Sequence, residues 1–281
     1  MNDLISVVMV VYNASFYVED AIESVLDQTY TNFEFIIVDD GSTDDTCQIV
    51  ERKCQDKRIQ LCRSTHDYIK SLNLGMSLAK GTYIARMDSD DRMHPCRLEA
   101  QKRMMEYETS IDICTCFAKT FDGNNVHDNR YQTKIPQTLD SESFLIELLR
   151  SNFICHPTAF IRRTSWMKYC LQYKDYPYAE DYKLWFDALA AGAKMIIMPY
   201  PLYYYRISEE QVSRKHADKQ AQSTDVIKNE ISEYLVSCIG NSHLTSFFYS
   251  AKDLCSEGVM NPKELYTVLY NLFLTFKRKQ L

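Results

Sequence analysis

Glycine-rich phosphate loops are missing from this chain. It has seven glycines in 281 residues, and neither GxGxxG nor GxxxxGK followed by Ser or Thr occurs, which disfavours dinucleotide and P-loop cradles. Paired cysteines are missing as well. The ten cysteines include no CxxC, and Cys114-x-Cys116 is too tight for a zinc knuckle. They read as free thiols of a reducing compartment, most of them buried. No apolar run approaches the length of a membrane span. Asn2 and Asp3 stand where the basic start of a secretory signal would be. These absences predict a cytoplasmic protein, or one on the cytosolic face of the cell membrane. The formal net charge of -6 argues against broad electrostatic binding to nucleic acid. A chain of this length, 46% hydrophobic and 25% charged, buries a sizeable core in one large domain or two modest ones.

What is present is an alternation of strands and helices. Residues 5–11 (ISVVMVV) form a continuous β-branched run, the mark of a strand buried on both faces in a largely parallel sheet. A helix is expected over 16–27, with Ser15 as its N-cap. Further strands are expected over 33–38, 59–62 and 83–87, with helices over 45–55 and 69–79 between them. This is the order of a doubly wound α/β sheet, in which ligands sit at the carboxyl ends of the strands. Tyr12, Asp39, Asp40 and the cluster Asp88-Ser89-Asp90-Asp91 all fall at those ends. Three neighbouring carboxylates repel unless water or a cation relieves them. Asp-x-Asp at a strand end suits a hard divalent ion that shares its ligand shell with a diphosphate. As bare residues, the same acids also suit a solvated turn, and Asp39 or Asp40 a helix cap.

Later segments are less regular. A helix is expected over 92–107, capped by Asp91, and a strand over 111–121. A short helix over 141–150 would be capped by Asp140 or Ser141. Glu180-Asp181 precedes an amphipathic helix over 182–191 that closes at Gly192, where the positive helix end favours the ionised carboxylates. From about residue 214 the chain reads as helical and polar. Residues 265–276 are apolar and aromatic and are followed by Lys277-Arg278-Lys279. That stretch fits either a helix docked on the main domain or a membrane-surface helix with basic anchors.

The segments ISVVMVVYNAS, SVLDQTYTNFEFIIVDDGSTDDT, LNLGMSLAKGTYIARMDSDDRMHPCRLE and AEDYKLWFDALAAG, in this order, resemble the motif series of family 2 glycosyltransferases. The resemblance implies a GT-A fold, a Rossmann-like doubly wound mixed sheet with helices on both faces, here followed by a helical C-terminal tail. Residues 1–110 would form the nucleotide-sugar-binding half, 111–213 the acceptor and catalytic-base half, and 214–281 a helical extension. It also implies inverting transfer from a nucleotide-sugar, with Tyr12, Asn13 and Asp39 toward the base and Asp40 beside them. Lys70 and Asn73 would lie near the nucleotide and its phosphates, although Leu72 stands where an Arg is often found. Asp88 and Ser89 would reach ribose or donor sugar, Asp90 would carry Mn²⁺ or Mg²⁺, and Arg206 would face phosphate. His156, before Pro157, would lie on the acceptor side. Asp181 would be the catalytic base, with Glu180 beside it. Ser208 stands where many relatives have a His that helps hold metal or diphosphate, leaving Gln211, Arg206 or water to replace it. The QxxRW of processive synthases is absent, so transfer of one sugar to a glycan or lipid-linked glycan is expected. A nucleotidyltransferase is the rival enzyme, but it predicts a basic, glycine-rich N-terminal loop that ISVVMVVYNAS lacks. A catalytically weak glycan-binding protein of the same fold is the non-enzymatic rival.

Overall fold

The structure is a computed structural model describing residues 3–123, 125–127, 140–207 and 216–280. Its first half alternates β1 (Ile5–Val11), α1 (Val18–Leu26), β2 (Phe33–Asp39), α2 (Thr46–Lys53), β3 (Ile59–Arg63), α3 (Tyr68–Leu78) and β4 (Tyr83–Asp88). Then follow β5 (Arg92–Met93), α4 (Arg97–Tyr107), β6 (Ile113–Asp122), β7 (Asn125–His127) and α5 (Ser141–Arg150). A 3-10 turn (His156–Thr158), β8 (Phe160–Arg162), α6 (Arg163–Lys168), α7 (Glu180–Ala190) and β9 (Met195–Arg206) complete the sheet region. Helices α8 (Ala217–Ile239), α9 (Ser242–Ser256) and α10 (Pro262–Gln280) form the C-terminal extension.

The strands pair in the order β3-β2-β1-β4-β8-β6-β9-β5, with β7 as a hairpin arm on β6. Strands β3, β2, β1 and β4 run parallel, and β8 runs antiparallel to both β4 and β6. Every residue of β1 is buried, as its unbroken apolar run requires. Side chains alternate across a strand, so Ile5, Val7 and Met9 pack with α1, α2 and α4, while Val8 and Val10 pack with α3 and α7 on the other face. Gly81 lies where the chain enters β4. A Cβ there would sit 2.6 Å from Ser6 N, so only glycine lets the two backbones approach.

Four expectations change. The ten cysteines are free, but only Cys114 and Cys116 are buried. The helix expected from residue 92 begins at Arg97 instead, because Arg92 and Met93 pair with Tyr204 and Tyr203 of β9. Asp91 does not cap it; Asp91 Oδ1 accepts from Arg206 N at 2.7 Å. Ser15 does not cap α1 either; its N–H donates to Asp44 Oδ2 at 3.2 Å. Asp140, by contrast, caps α5 through Ser143 N at 3.0 Å.

Of the two readings of the C-terminal helix, the docked one matches the packing. Leu265, Leu269 and Phe273 of α10 are buried in one core with Phe144 of α5 and Trp185 of α7. Lys277 pairs with Asp140 and Glu142, and Tyr270 Oη donates to Glu147 at 2.9 Å. Among the described residues no helix is long and apolar enough to cross a membrane.

Candidate active site

The parallel register brings Val10 beside Asp88 and Val11 beside Asp39. The chain leaves β1 toward β2 and β3, then returns on the other side to β4, so the crevice above β1 is a topological switch point. Tyr12 is 43% exposed there and stacks on His66, with ring centroids 4.2 Å apart. Asn13 adopts a positive φ of 46° and ties the first loop to the second, accepting from Thr43 N at 2.8 Å and donating to Ser42 Oγ at 3.1 Å. Burial opposes the charge of Asp44, yet hydrogen bonds from Thr46 and Ser15 bring its carboxyl down to about 2. Asp39 is buried and accepts from Ser42 N at 3.2 Å. Gly41, at φ 82°, makes the turn between these groups. Asp40 anchors the start of α3, with Oδ1 accepting from Asp67 N at 2.8 Å and Ser71 Oγ at 2.6 Å.

Residues on α3 divide. Lys70 is exposed and pairs with Asp67 at 2.8 Å. Asn73 clasps the backbone of Tyr173, donating to its carbonyl and accepting from its N–H, both at 2.9 Å. Its amide therefore holds the loop before α7 against α3.

Ser89 and Asp90 form the turn leaving β4. Burial and the neighbouring Asp88 charge push the Asp90 carboxyl up to about 6. Asp91 is buried, and burial followed by the Asp90 and Asp88 charges raises it well above the usual range. Its Oδ2 has no hydrogen-bond partner among the described residues. Arg206 N donates to Asp91, Arg206 Nε donates to the Asp90 carbonyl at 2.5 Å and Nη2 to Asp20 Oδ2 at 2.8 Å. The guanidinium lies over the rings of Tyr17 and Phe121. Arg206 thus clasps the acidic turn from behind. Ser208 and Gln211 lie outside the described residues.

The turn sets three carboxylates against the two guanidinium groups of Arg86 and Arg206, a deficit that a small divalent cation would make up. Among the described residues no three His, Cys, Asp or Glu side chains gather as a cage. One or two carboxylates, with the remaining positions left to water and phosphate, is the donor set that Mg²⁺ or Mn²⁺ accepts. The residues fit such an ion.

Glu180 and Asp181 open α7 and face the same region. Asp181 Oδ2 accepts from Asn152 Nδ2 at 2.8 Å and Oδ1 from Tyr182 N at 2.7 Å. Burial outweighs these bonds and pushes Asp181 up to about 6. Burial and the Asp181 charge push Glu180 up to about 7. The expected lowering by the helix terminus is therefore overridden, and both groups sit near neutrality, where a general base is most effective. His156 shares a 2.8 Å hydrogen bond between Nε2 and Tyr173 Oη, and packs edge-on against Trp185. Burial and the Arg86 charge lower its pKa well below the ordinary value, so it is neutral. His216 lies flat against Tyr178, two residues before Glu180, at 4.3 Å.

At the centre is a residue that the motif reading passed over. Arg86, 2% exposed, donates to Asp88 Oδ1 through Nη1 and to Tyr68 Oη through Nη2, the latter at 2.7 Å. Its signal was present in the sequence: a charged residue inside an apolar strand must find a partner, and Asp88 two positions on shares its face. Asn152 and Tyr173 carry no comparable local signal, since their partners come from distant segments.

A switch-point crevice with an acidic turn on one wall and a carboxylate pair on the other is the arrangement expected of a GT-A glycosyltransferase. Residues 6–170 match the model of glycosyl transferase family 2, and the chain belongs to that family. It is 30% identical over 285 residues to an uncharacterized glycosyltransferase of Haemophilus influenzae, covering 98% of this chain and 87% of the relative. It is 29% identical over 231 residues to WfaP of Escherichia coli, covering 81% and 86%. WfaP is named a UDP-Glc:alpha-D-GlcNAc-diphosphoundecaprenol beta-1,3-glucosyltransferase. Among solved structures, S. aureus TarS 1-349 in complex with UDP-GlcNAc superposes with a TM-score of 0.65 at 21% identity, covering 83% of this chain and 66% of that one. The mannosyltransferase PcManGT from Pyrobaculum calidifontis, in complex with GDP-Man and Mn2+, superposes with a TM-score of 0.54 at 13% identity, over 97% and 85%. At these identities the two structures speak for the fold.

Proposed function

We propose that this chain transfers one sugar, with inversion, from a UDP-sugar to a hydroxyl of a glycan or lipid-linked glycan during surface polysaccharide synthesis, on the cytosolic side of the membrane. The observation that carries the reading is that Asp88, held by buried Arg86, lies within electrostatic reach of the raised acceptor-side pair Glu180–Asp181. The name of WfaP supports a UDP-sugar donor and a lipid-diphosphate acceptor, and the TarS complex supports a UDP-sugar.

In this reading Tyr12 packs on the pyrimidine and Asp39 accepts from its ring N–H, with Asn13 and Asp40 holding the two loops in register. Lys70, exposed at the head of α3, reaches toward phosphate. Asp88 and Ser89 receive ribose or donor sugar, and Asp90 is the residue that holds Mn²⁺ or Mg²⁺. When bound, the cation offsets the charge of the departing diphosphate. Asp181 takes the proton of the acceptor hydroxyl as its oxygen bonds to C1. The C1–O bond to the diphosphate breaks, and the electron pair leaves with UDP. A single displacement inverts the anomeric centre. Glu180 orients the acceptor, and neutral His156 offers it a hydrogen-bonding ring.

The test is UDP release from UDP-glucose and UDP-GlcNAc with Mn²⁺, with and without GlcNAc-diphosphoundecaprenol. Acceptor-stimulated release is expected, together with a UDP-dependent stabilisation of about 2.7 kcal/mol at a hundred times the dissociation constant. Absence of both release and a thermal shift with every UDP-sugar tested would refute the reading.

A further inference from the structure

We propose that Arg86 is a positioning residue of the transfer: its buried guanidinium fixes the side chain of donor-side Asp88 and anchors it to Tyr68 at the start of α3. The proposal rests on the glycosyltransferase reading and adds a residue to it.

The geometry is particular. Arg86 and Asp88 lie two apart on β4, so both project to the face covered by α3 and α7, the face on which Ile84, Leu72, Tyr182 and Trp185 pack. The guanidinium fork is held at both tips, by Asp88 on its own strand and by Tyr68 Oη at the start of α3. The main chain is held equally firmly. Arg86 N donates to Ala159 O at 2.9 Å, and Arg97 Nη1 donates to Arg86 O at 3.0 Å. Arg86 Nε is buried without a hydrogen-bond partner among the described residues.

A charged group buried this deeply is costly unless it is paired, and an apolar side chain would fill a strand interior at less expense. The charge has several recipients. Burial opposes it, but Asp88 keeps Arg86 strongly protonated, and its field favours the ionised forms of both Glu180 and Asp181 against their burial. Burial, and after it the same field, keep His156 neutral. One guanidinium therefore holds the donor-side acid to α3 while its field reaches the acceptor-side pair. A lysine keeps the charge but cannot bridge Asp88 and Tyr68 as a planar fork does.

The test uses the full chain and UDP-glucose or UDP-GlcNAc hydrolysis with Mn²⁺, choosing whichever donor the wild type splits. Arg86→Lys should reduce kcat roughly 10- to 100-fold, the scale of a misplaced reacting group, with donor KM and UDP affinity weakened by clearly less than kcat is lowered. Arg86→Ala should lose at least as much, and added guanidinium should restore part of it. Tyr68→Phe, which keeps the ring and removes one anchor, should lower kcat by a few-fold and covers the case in which Arg86→Ala does not fold. If Arg86→Lys and Tyr68→Phe both keep kcat within twofold in an active background, the proposal is overturned and the glycosyltransferase reading survives. Losses that follow melting temperature and UDP affinity, without guanidinium recovery, also overturn it in favour of a purely structural arginine. A folded wild type that neither binds nor splits UDP-sugars overturns both.

Discussion

Replacing Asp181 with Asn separates the proton-accepting role of this carboxylate from its place at the head of α7. One of its oxygens accepts from Tyr182 N and the other from Asn152 Nδ2. An amide keeps the first bond but turns its NH₂ toward the Asn152 amide, donor against donor. Asn152 relieves the clash by flipping, which forfeits the 3.4 Å bond that its Oδ1 accepts from Ile154 N. The structural cost is about one weak hydrogen bond, near 1 kcal/mol, or about 2–4 °C in melting temperature for a chain of this size. The chemical cost is larger. A positioned base contributes about 10²–10⁴-fold, equivalent to about 2.7–5.4 kcal/mol of barrier. The assay is kcat for UDP release across pH, with UDP affinity measured separately. In the wild type the base acts only when ionised. Asp181 lies at about 6 and Glu180 at about 7, so kcat should climb through that range and level above it, the two acids titrating as a pair. The variant should bind UDP normally, lose kcat by the stated factor and lose most of that rise. If Asp181→Asn keeps its turnover while Glu180→Gln loses it, the roles are reversed. If both keep it, the base lies elsewhere and the pair is only a helix start.

Asp90→Ala should leave the fold intact, abolish transfer and remove most of the Mn²⁺ dependence of UDP binding; calorimetry with and without Mn²⁺ decides, and unchanged metal-dependent affinity refutes the assignment. Glu180→Gln should stabilise the unliganded protein near pH 7.5. Burial and the Asp181 charge raise the folded value of Glu180 from 4.5 to about 7, so folding takes up a proton and the ionised group costs stability once pH exceeds the unfolded value. The gain should be on the order of 2 kcal/mol, should fade as pH falls through 7 to 4.5, and is checked by urea melts at pH 7.5 and 4.5. Phe273→Ala should destabilise by about 3–5 kcal/mol, because the ring is 1% exposed in the core shared with α5 and α7; a melting temperature within a degree of wild type would show that α10 does not dock.

The sequence by itself determined the alternation of strands and helices through β4, because a run such as Ile5–Val11 has one way to bury both faces. It also placed Tyr12, Asp39 and the acidic turn at strand ends, since the position of a residue after an apolar run is a local property. The Glu180-Asp181 pair at a helix start was legible for the same reason. What only the tertiary structure decided depends on who stands opposite. Arg92 and Met93 read as helix until β9 offers them a strand to pair with. Asp91 reads as a cap until the Arg206 backbone comes to it across 115 positions of chain. Asn73 faces Tyr173 across 100 positions, and no periodicity encodes that meeting. The basic end of α10 fits a lipid surface as well as a protein one, until Asp140 and Glu142 are found beside Lys277. The proton affinities of the acids follow the same division. A carboxylate's place in the chain is local, whereas its burial and the charges around it are set by segments that only folding brings together.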